Sequence, residues 1–182
     1  MSTTISLLSL QSNRLKNTEA AEALKDAGKR ILSMQILYDK LYRSAGFMEI
    51  SIKGYLEPLI KEITSLFPNR GMVKIETQIE DFKLAAAVLS PLGMLINELI
   101  TNAMKYAFID RNDGLIKVSA SIRDRGVRLM ISDNGCGMPE NLDFENSSGF
   151  GLGLVGMLVK QLDGTIRMER EKGTNIILEF TI

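Results

Sequence analysis

Histidine and tryptophan are both absent from the 182 residues. Without an imidazole there is no His-ligated zinc, no Ser-His-Asp triad and no phosphohistidine formed on this chain. Cysteine occurs once, which excludes an internal disulfide framework and fits a reducing compartment. A surplus of charge is missing too. Lys+Arg and Asp+Glu each number 22, so neither a nucleic-acid partner nor an acidic tail is implied. No apolar run approaches the length needed to span a bilayer, and Met1 to Gln11 lacks a basic region and a cleavage pattern. A cytoplasmic location with no membrane contact from this chain is the expectation. What is present, 45% hydrophobic and 24% charged residues, suffices for one sizeable core or a small domain with an appendage.

Residues 3 to 45 contain no proline and a single glycine, Gly28, and their apolar residues recur at helical spacing. Two helices are predicted, the first through Ile5 to Leu15, the second capped near Asn17-Thr18. In the second, Leu24, Ala27, Ile31, Met34, Tyr38 and Leu41 step by 3, 4, 3, 4 and 3, a seam that brings helices together at a shallow angle. Two short helices close a poor core, so a homodimer through residues 3–45, forming a four-helix bundle, is favoured over a hairpin packed on its own domain. A junction near Ser44 to Lys53 divides the chain into residues 1–50, a helical hairpin, and 51–182, an α+β domain.

In that domain Tyr55 to Phe67 reads as a helix with Pro58 in its first turn, followed by a turn at Pro68-Asn69-Arg70-Gly71. Val73 to Ile79 alternates apolar and polar residues, as a half-buried strand does. Ser90-Pro91 supplies an N-cap and first helical position for a long helix to about Phe108. Ile116 to Ile122 and Val127 to Ile131 predict an antiparallel hairpin turning near Asp124 to Gly126. Leu152 to Leu162 reads as a helix, then Thr165 to Arg170 and Asn175 to Thr181 as strands turning at Lys172-Gly173. This order is not a βαβ alternation. It suits a mixed, mostly antiparallel sheet covered by helices on one face.

Three segments carry chemistry. On the long helix Glu98, Asn102 and Lys105 step by 4 and 3 and share a stripe apart from the apolar face. An amide oxygen at Asn102 suits Mg²⁺, Lys105 would neutralise phosphate charge, and Glu98 could act as general base. The alternative is a solvated helix face with Glu98 and Lys105 at ordinary surface positions. In Asp133-Asn134-Gly135-Cys136-Gly137-Met138, Asp133 ends an apolar strand, where a carboxylate needs a partner such as an adenine amino group, or else closes an Asx-type turn. In Gly149-Phe150-Gly151-Leu152-Gly153-Leu154, glycines precede an apolar helix whose N-terminal N–H groups favour phosphate oxygens. A plain glycine hinge into that helix is the alternative. All three fall within about 60 residues, a coincidence that independent accounts must reproduce jointly.

Asn97-Glu98-Leu99-Ile100-Thr101-Asn102-Ala103-Met104-Lys105-Tyr106 resembles the N box of the GHKL ATPases, Asp133 to Gly137 the G1 box, Gly149 to Leu154 the G2 box, and Lys172-Gly173-Thr174 the last glycine-threonine box. The resemblance covers residues 55–182 and implies the Bergerat ATP-binding fold with ATP and Mg²⁺ as cofactors. It further implies that Asp133 holds the adenine amino group, Thr174 the adenine edge, Asn102 the Mg²⁺, and Lys105 and Tyr106 the phosphate side. Residues 137 to 149 would form the ATP lid, with Phe144 the sole trace of an F box. Ser6 to Ser12, Arg30 to Met34 and Lys40-Leu41-Tyr42 resemble the dimerisation helices of a sensor histidine kinase subfamily, whose phosphoacceptor histidine lies just upstream of the Leu-Leu-Ser-Leu-Gln run. The implied function is the catalytic core of a two-component histidine kinase that serves a response regulator receiver domain. On this expectation Met1 begins a piece of a longer kinase, a naturally histidine-free relative being the competing account, and the chain binds ATP without phosphorylating itself. An anti-sigma-type serine kinase, an ATP-driven clamp and a non-catalytic dimeric module are the rivals.

Overall fold

The computed structural model describes Leu10, Ala20, Ala21, Leu24, Gly28 and residues 49–182 apart from 141, 145–149 and 171. Met1–Phe47 and Met48–Ile182 are separate compact units. The five described residues of the first lie in helical backbone. Apart from Leu24, the predicted seam lies outside the described residues.

The second unit is organised by the antiparallel hairpin of β4 (Gly114–Arg123) and β5 (Gly126–Asp133). Its two-residue turn, Asp124-Arg125, has positive φ at both positions (47° and 69°), which matches the right-handed twist of the flanking strands. β7 (Thr174–Thr181) pairs antiparallel with β5, and β6 (Thr165–Glu169) antiparallel with β7. β2 (Val73–Ile79) is the exception, lying parallel to β4. A parallel neighbour needs a long crossover, and the long helix supplies it. The sheet order is β2-β4-β5-β7-β6, while β1 (Ile50–Ser51) and β3 (Lys83–Leu84) form a separate two-residue ladder.

Period-two alternation decides which face is covered. Ile116, Val118 and Ala120, then Val127, Leu129 and Ile131, then Ile176, Leu178 and Phe180 are buried. Lys117, Arg128, Arg167 and Glu179 lie on the opposite face, where Glu179 pairs with Arg167 at 3.3 Å and Arg128 at 3.7 Å. These pairs are half exposed and contribute little to stability. The fold is therefore the expected one, a mixed sheet with helices on one side.

Helix α1 (Ile52–Ser65) buries Ile52, Leu56, Leu59, Ile60 and Ile63, and packs on α2 (Ala86–Asn102). Helix α3 (Phe150–Gln161) packs on the other flank of α2. Two helix starts differ from the sequence expectation. Ser51 caps α1, its hydroxyl accepting from Gly54 N–H at 2.9 Å, so the helix begins earlier and Pro58 sits in its second turn. The Gly54 carbonyl that Pro58 cannot serve is exposed to water. Likewise α2 starts at Ala86 instead of after Ser90, and Pro91 is interior. Three exposed alanines, Ala85 to Ala87, favour an extra turn, and the carbonyl deprived by Pro91 is that of exposed Ala87. The predicted turn at Pro68 becomes a 3₁₀ helix, Pro68–Met72.

One further correction concerns membranes. Ala86–Ala107 is long and apolar enough, by length and composition, to cross a bilayer. Two-thirds of its apolar window is buried in the domain, because α2 is the central core helix. Glu98 and Lys105 concealed this length in the sequence.

Candidate nucleotide site

The three predicted segments lie on α2, at the C-terminal end of β5 and at the start of α3. After Asn102 the long helix widens into a π-turn, Ala103–Ala107, a rare geometry frequent at functional sites. Asn69 Nδ2 donates to the Met104 carbonyl of this turn at 2.9 Å. Upstream of it Glu98 is 1% exposed, so the surface alternative fails for this carboxylate. Asn97 is buried, Asn102 and Lys105 are half-buried, and Tyr106 is exposed.

Asp133 is the last residue of β5 and stands opposite Thr174, the first of β7. Its Oδ1 accepts from Gly135 N–H at 2.8 Å and from Thr174 N–H at 3.3 Å. The Asx turn is thus real, and it does not exhaust the group, since an ionised carboxylate offers about four acceptor sites. Burial raises its pKa, against the opposing pull of the Gly135 and Thr174 bonds and of nearby Arg111. The protein therefore keeps a carboxylate where desolvation disfavours its charge, which makes Asp133 a candidate functional group.

Glycine is required here by protein contacts. A Cβ at Gly135 would lie 2.4 Å from the Ala107 carbonyl oxygen, and one at Gly173 (φ +94°) 2.0 Å from the Asp133 carbonyl oxygen. Gly137 has φ +78°. Cys136 N–H donates to the Ala107 carbonyl at 3.0 Å, so the Asp133 to Gly137 loop is clamped between the π-turn and the start of β7. This gathers Asp133, Gly135, Gly137 and Thr174 beside Tyr106 and Ala107; Met138, half-buried, follows directly.

The second glycine segment is already helical. Because α3 begins at Phe150, Gly151, Leu152 and Gly153 occupy its first turn, whose N–H groups have no intrahelical acceptor. Leu152 is buried and Leu154 half-buried. A Cβ at Gly153 would meet nothing within 4 Å, so no protein contact demands glycine there. Gly149 lies outside the described residues. Phe144, inside the expected lid segment, is buried, and a Cβ on Gly156 would lie 2.6 Å from its carbonyl oxygen, so the chain at Phe144 passes close against α3.

A cavity of about 570 Å³ also adjoins Asp133 and Thr174, but Lys117, Ser132, Glu169 and Asn175 line it from the helix-free face of the sheet. Alternation along β5 puts the Asp133 side chain with buried Leu129 and Ile131, on the other face, and neither Glu98 nor Asn102 lines this cavity. Sequence reasoning missed Asn69 and Arg111, whose partners lie 35 and 23 residues away and leave no local pattern. Among the described residues no group of three His, Cys, Asp or Glu side chains could hold a metal.

A five-stranded mixed sheet with helices on one face, a half-buried carboxylate at a strand end and a glycine-bearing helix start define a nucleotide-binding ATPase fold. Residues 87–182 match the model of the "Histidine kinase-, DNA gyrase B-, and HSP90-like ATPase" family, and residues 1–67 match a "Histidine kinase" family model. The chain belongs to this ATPase family, which implies ATP binding. It is 25% identical over 183 residues to "Blue-light-activated histidine kinase 2" of Erythrobacter litoralis, covering 98% of the chain and 52% of that protein. It is 27% identical over 190 residues to "Sensor histidine kinase PdtaS" of Mycobacterium tuberculosis, covering 100% of the chain and 37% of that protein. The chain thus spans about half or less of the length of these two curated relatives. The solved histidine kinase domain of the Erythrobacter litoralis EL346 blue-light activated kinase superposes with TM-score 0.77 at 22% identity, covering 99% and 93% of the two chains, a likeness of fold.

Proposed function

We propose that this chain is the ATP-binding core of a two-component sensor histidine kinase, passing the γ-phosphoryl group of Mg·ATP to a histidine for relay to a response regulator receiver domain. The observation that carries the proposal is Asp133, a half-buried carboxylate held at a strand end opposite Thr174, beside two glycines that backbone contact makes obligatory. Asp133 accepts the adenine amino group and Thr174 borders the adenine edge. Asn102 offers its amide oxygen to Mg²⁺, and Lys105 and Tyr106 face the phosphates. Bound Mg²⁺ would supply charge neutralisation at the phosphate oxygens. The first-turn N–H groups of α3, from Phe150 to Gly153, favour the same oxygens, and Glu98 serves as the base that receives the acceptor's proton. Phosphoryl transfer asks little covalent chemistry of the protein, so these residues act by positioning and charge compensation.

The acceptor histidine is not on this chain, which has none. The chain functions as a homodimer through residues 3–45, in the cytoplasm. With Mg²⁺ and γ-labelled ATP it should acquire no stable label itself. Acid-labile label should appear on a histidine-bearing dimerisation hairpin supplied in trans. The lack of histidine favours one rival, a serine kinase of the same fold. Acid-stable label on serine would establish that rival and overturn the histidine reading.

A further inference from the structure

An Asp that reads an amino group must hold its carboxylate at a fixed angle, yet β5 ends at Asp133 and the backbone beyond it leaves the sheet. What fixes that backbone is the connection between α2 and β4. Asn134 N–H donates to the Leu115 carbonyl at 3.2 Å, and Leu115 N–H donates back to Asn134 Oδ1 at 2.7 Å. Asn134 Nδ2 donates to the Asp113 carbonyl at 3.0 Å. The remaining polar group, the Asn134 carbonyl, accepts from Arg111 Nη1. Arg111 is in turn held by Asp113, with Nε and Nη2 each 3.1 Å from one carboxylate oxygen. Every hydrogen-bonding group of Asn134 is therefore tied to residues 111–115. The Asn134 and Arg111 side chains both cross between the segments, and the guanidinium of Arg111 alone bridges the Asn134 carbonyl to a second side chain, the Asp113 carboxylate.

We propose that Arg111 is a positioning residue for purine recognition: through the Asn134 carbonyl it sets the orientation of the neighbouring Asp133 carboxylate, and with it the preference for a 6-amino purine. The proposal rests on the reading of Asp133 as the adenine acceptor. Arg111 has a second effect on the same group, since its positive charge favours the ionised, accepting form of Asp133 against burial. Lysine would keep the charge beside Asp113 but lose the planar fork that spans two acceptors.

A residue that merely stabilised the loop would weaken all nucleotides alike, whereas a positioning residue acts on the 6-amino group alone. The test is calorimetric affinity for Mg·ATP and for Mg·inosine triphosphate, which carries a 6-oxo group, on the full chain, Arg111→Ala, Arg111→Lys and Asp133→Asn, with thermal melts for each. The chain should prefer ATP and Asp133→Asn should lose that preference. Arg111→Ala and Arg111→Lys should each weaken ATP by about 5- to 20-fold and leave inosine triphosphate within about twofold. If Arg111→Ala fails to fold, the affinities of Arg111→Lys decide the matter. Equal losses for both nucleotides, or unchanged ATP affinity in the folded variants, would overturn the role of Arg111 while Asp133→Asn still abolishes the preference. Should the unaltered chain show no preference and Asp133→Asn change nothing, the adenine reading itself fails and takes the proposal with it.

Discussion

At the scale of residues, the ionised carboxylate of Asp133 carries a cost in folding stability. Its pKa is raised above that of an unfolded aspartate, chiefly by burial. The folded state therefore binds this proton more tightly than the unfolded state does. Its contribution to stability is fully present below the unfolded pKa, near 3.8, and is lost as pH rises through the folded value. Asp133→Asn should accordingly unfold at a higher denaturant concentration than the unaltered chain at neutral pH, with the gap closing as pH falls toward 4 or so. A lower midpoint at neutral pH would contradict the desolvation argument. Gain in stability with loss of binding is the expected signature of a carboxylate kept for function.

The glycines separate by the same logic. Gly173→Ala forces a Cβ against the Asp133 carbonyl at a positive φ, and should cost at least about 2 kcal/mol in denaturant unfolding. Gly153→Ala meets open space inside a helix, and should stabilise the fold by about 0.5 to 1 kcal/mol. If Gly153 instead serves the phosphates, Mg·ATP binding falls in that more stable variant. Equal effects of the two substitutions on stability would contradict the packing described.

At the scale of elements, legibility followed the kind of force involved. The β4–β5 hairpin, β2, β6 and β7 were readable because burial of one face imposes period two on the sequence. Helix starts were not. Pro58 and Pro91 are strong local signals, and both were overridden, by a Ser51 cap in one case and an alanine turn in the other. Candidate site residues were legible where side chains form a motif, as at Asp133, found at the end of β5, and Asn102, found at the end of α2. The site was not readable where it depends on long-range bonds to carbonyls, as in Asn69 to Met104 and Arg111 to Asn134. The π-turn belongs with these, for no periodicity announces it. Asn69 satisfies one of its carbonyls, so Asn69→Ala should cost about 1 to 2 kcal/mol in unfolding free energy. Indistinguishable unfolding curves would show that the bond is replaced by water.

At the scale of the whole molecule, two compact units divide the labour proposed here. Nucleotide chemistry belongs to Met48–Ile182, and pairing of two copies to the Leu24 to Leu41 seam read from the sequence. Replacing Leu24 and Ile31 with Asp should therefore give a monomer by sedimentation equilibrium, with Mg·ATP affinity changed by less than about threefold. A persistent dimer would place the interface elsewhere. The central claim, that Asp133 anchors the adenine of ATP, is tested most directly by calorimetric titration of Mg·ATP into the folded chain and into Asp133→Asn. Saturable binding that weakens by about 1 to 3 kcal/mol in the variant is predicted. Binding of equal affinity in both, or no binding to the chain at millimolar nucleotide, would contradict it.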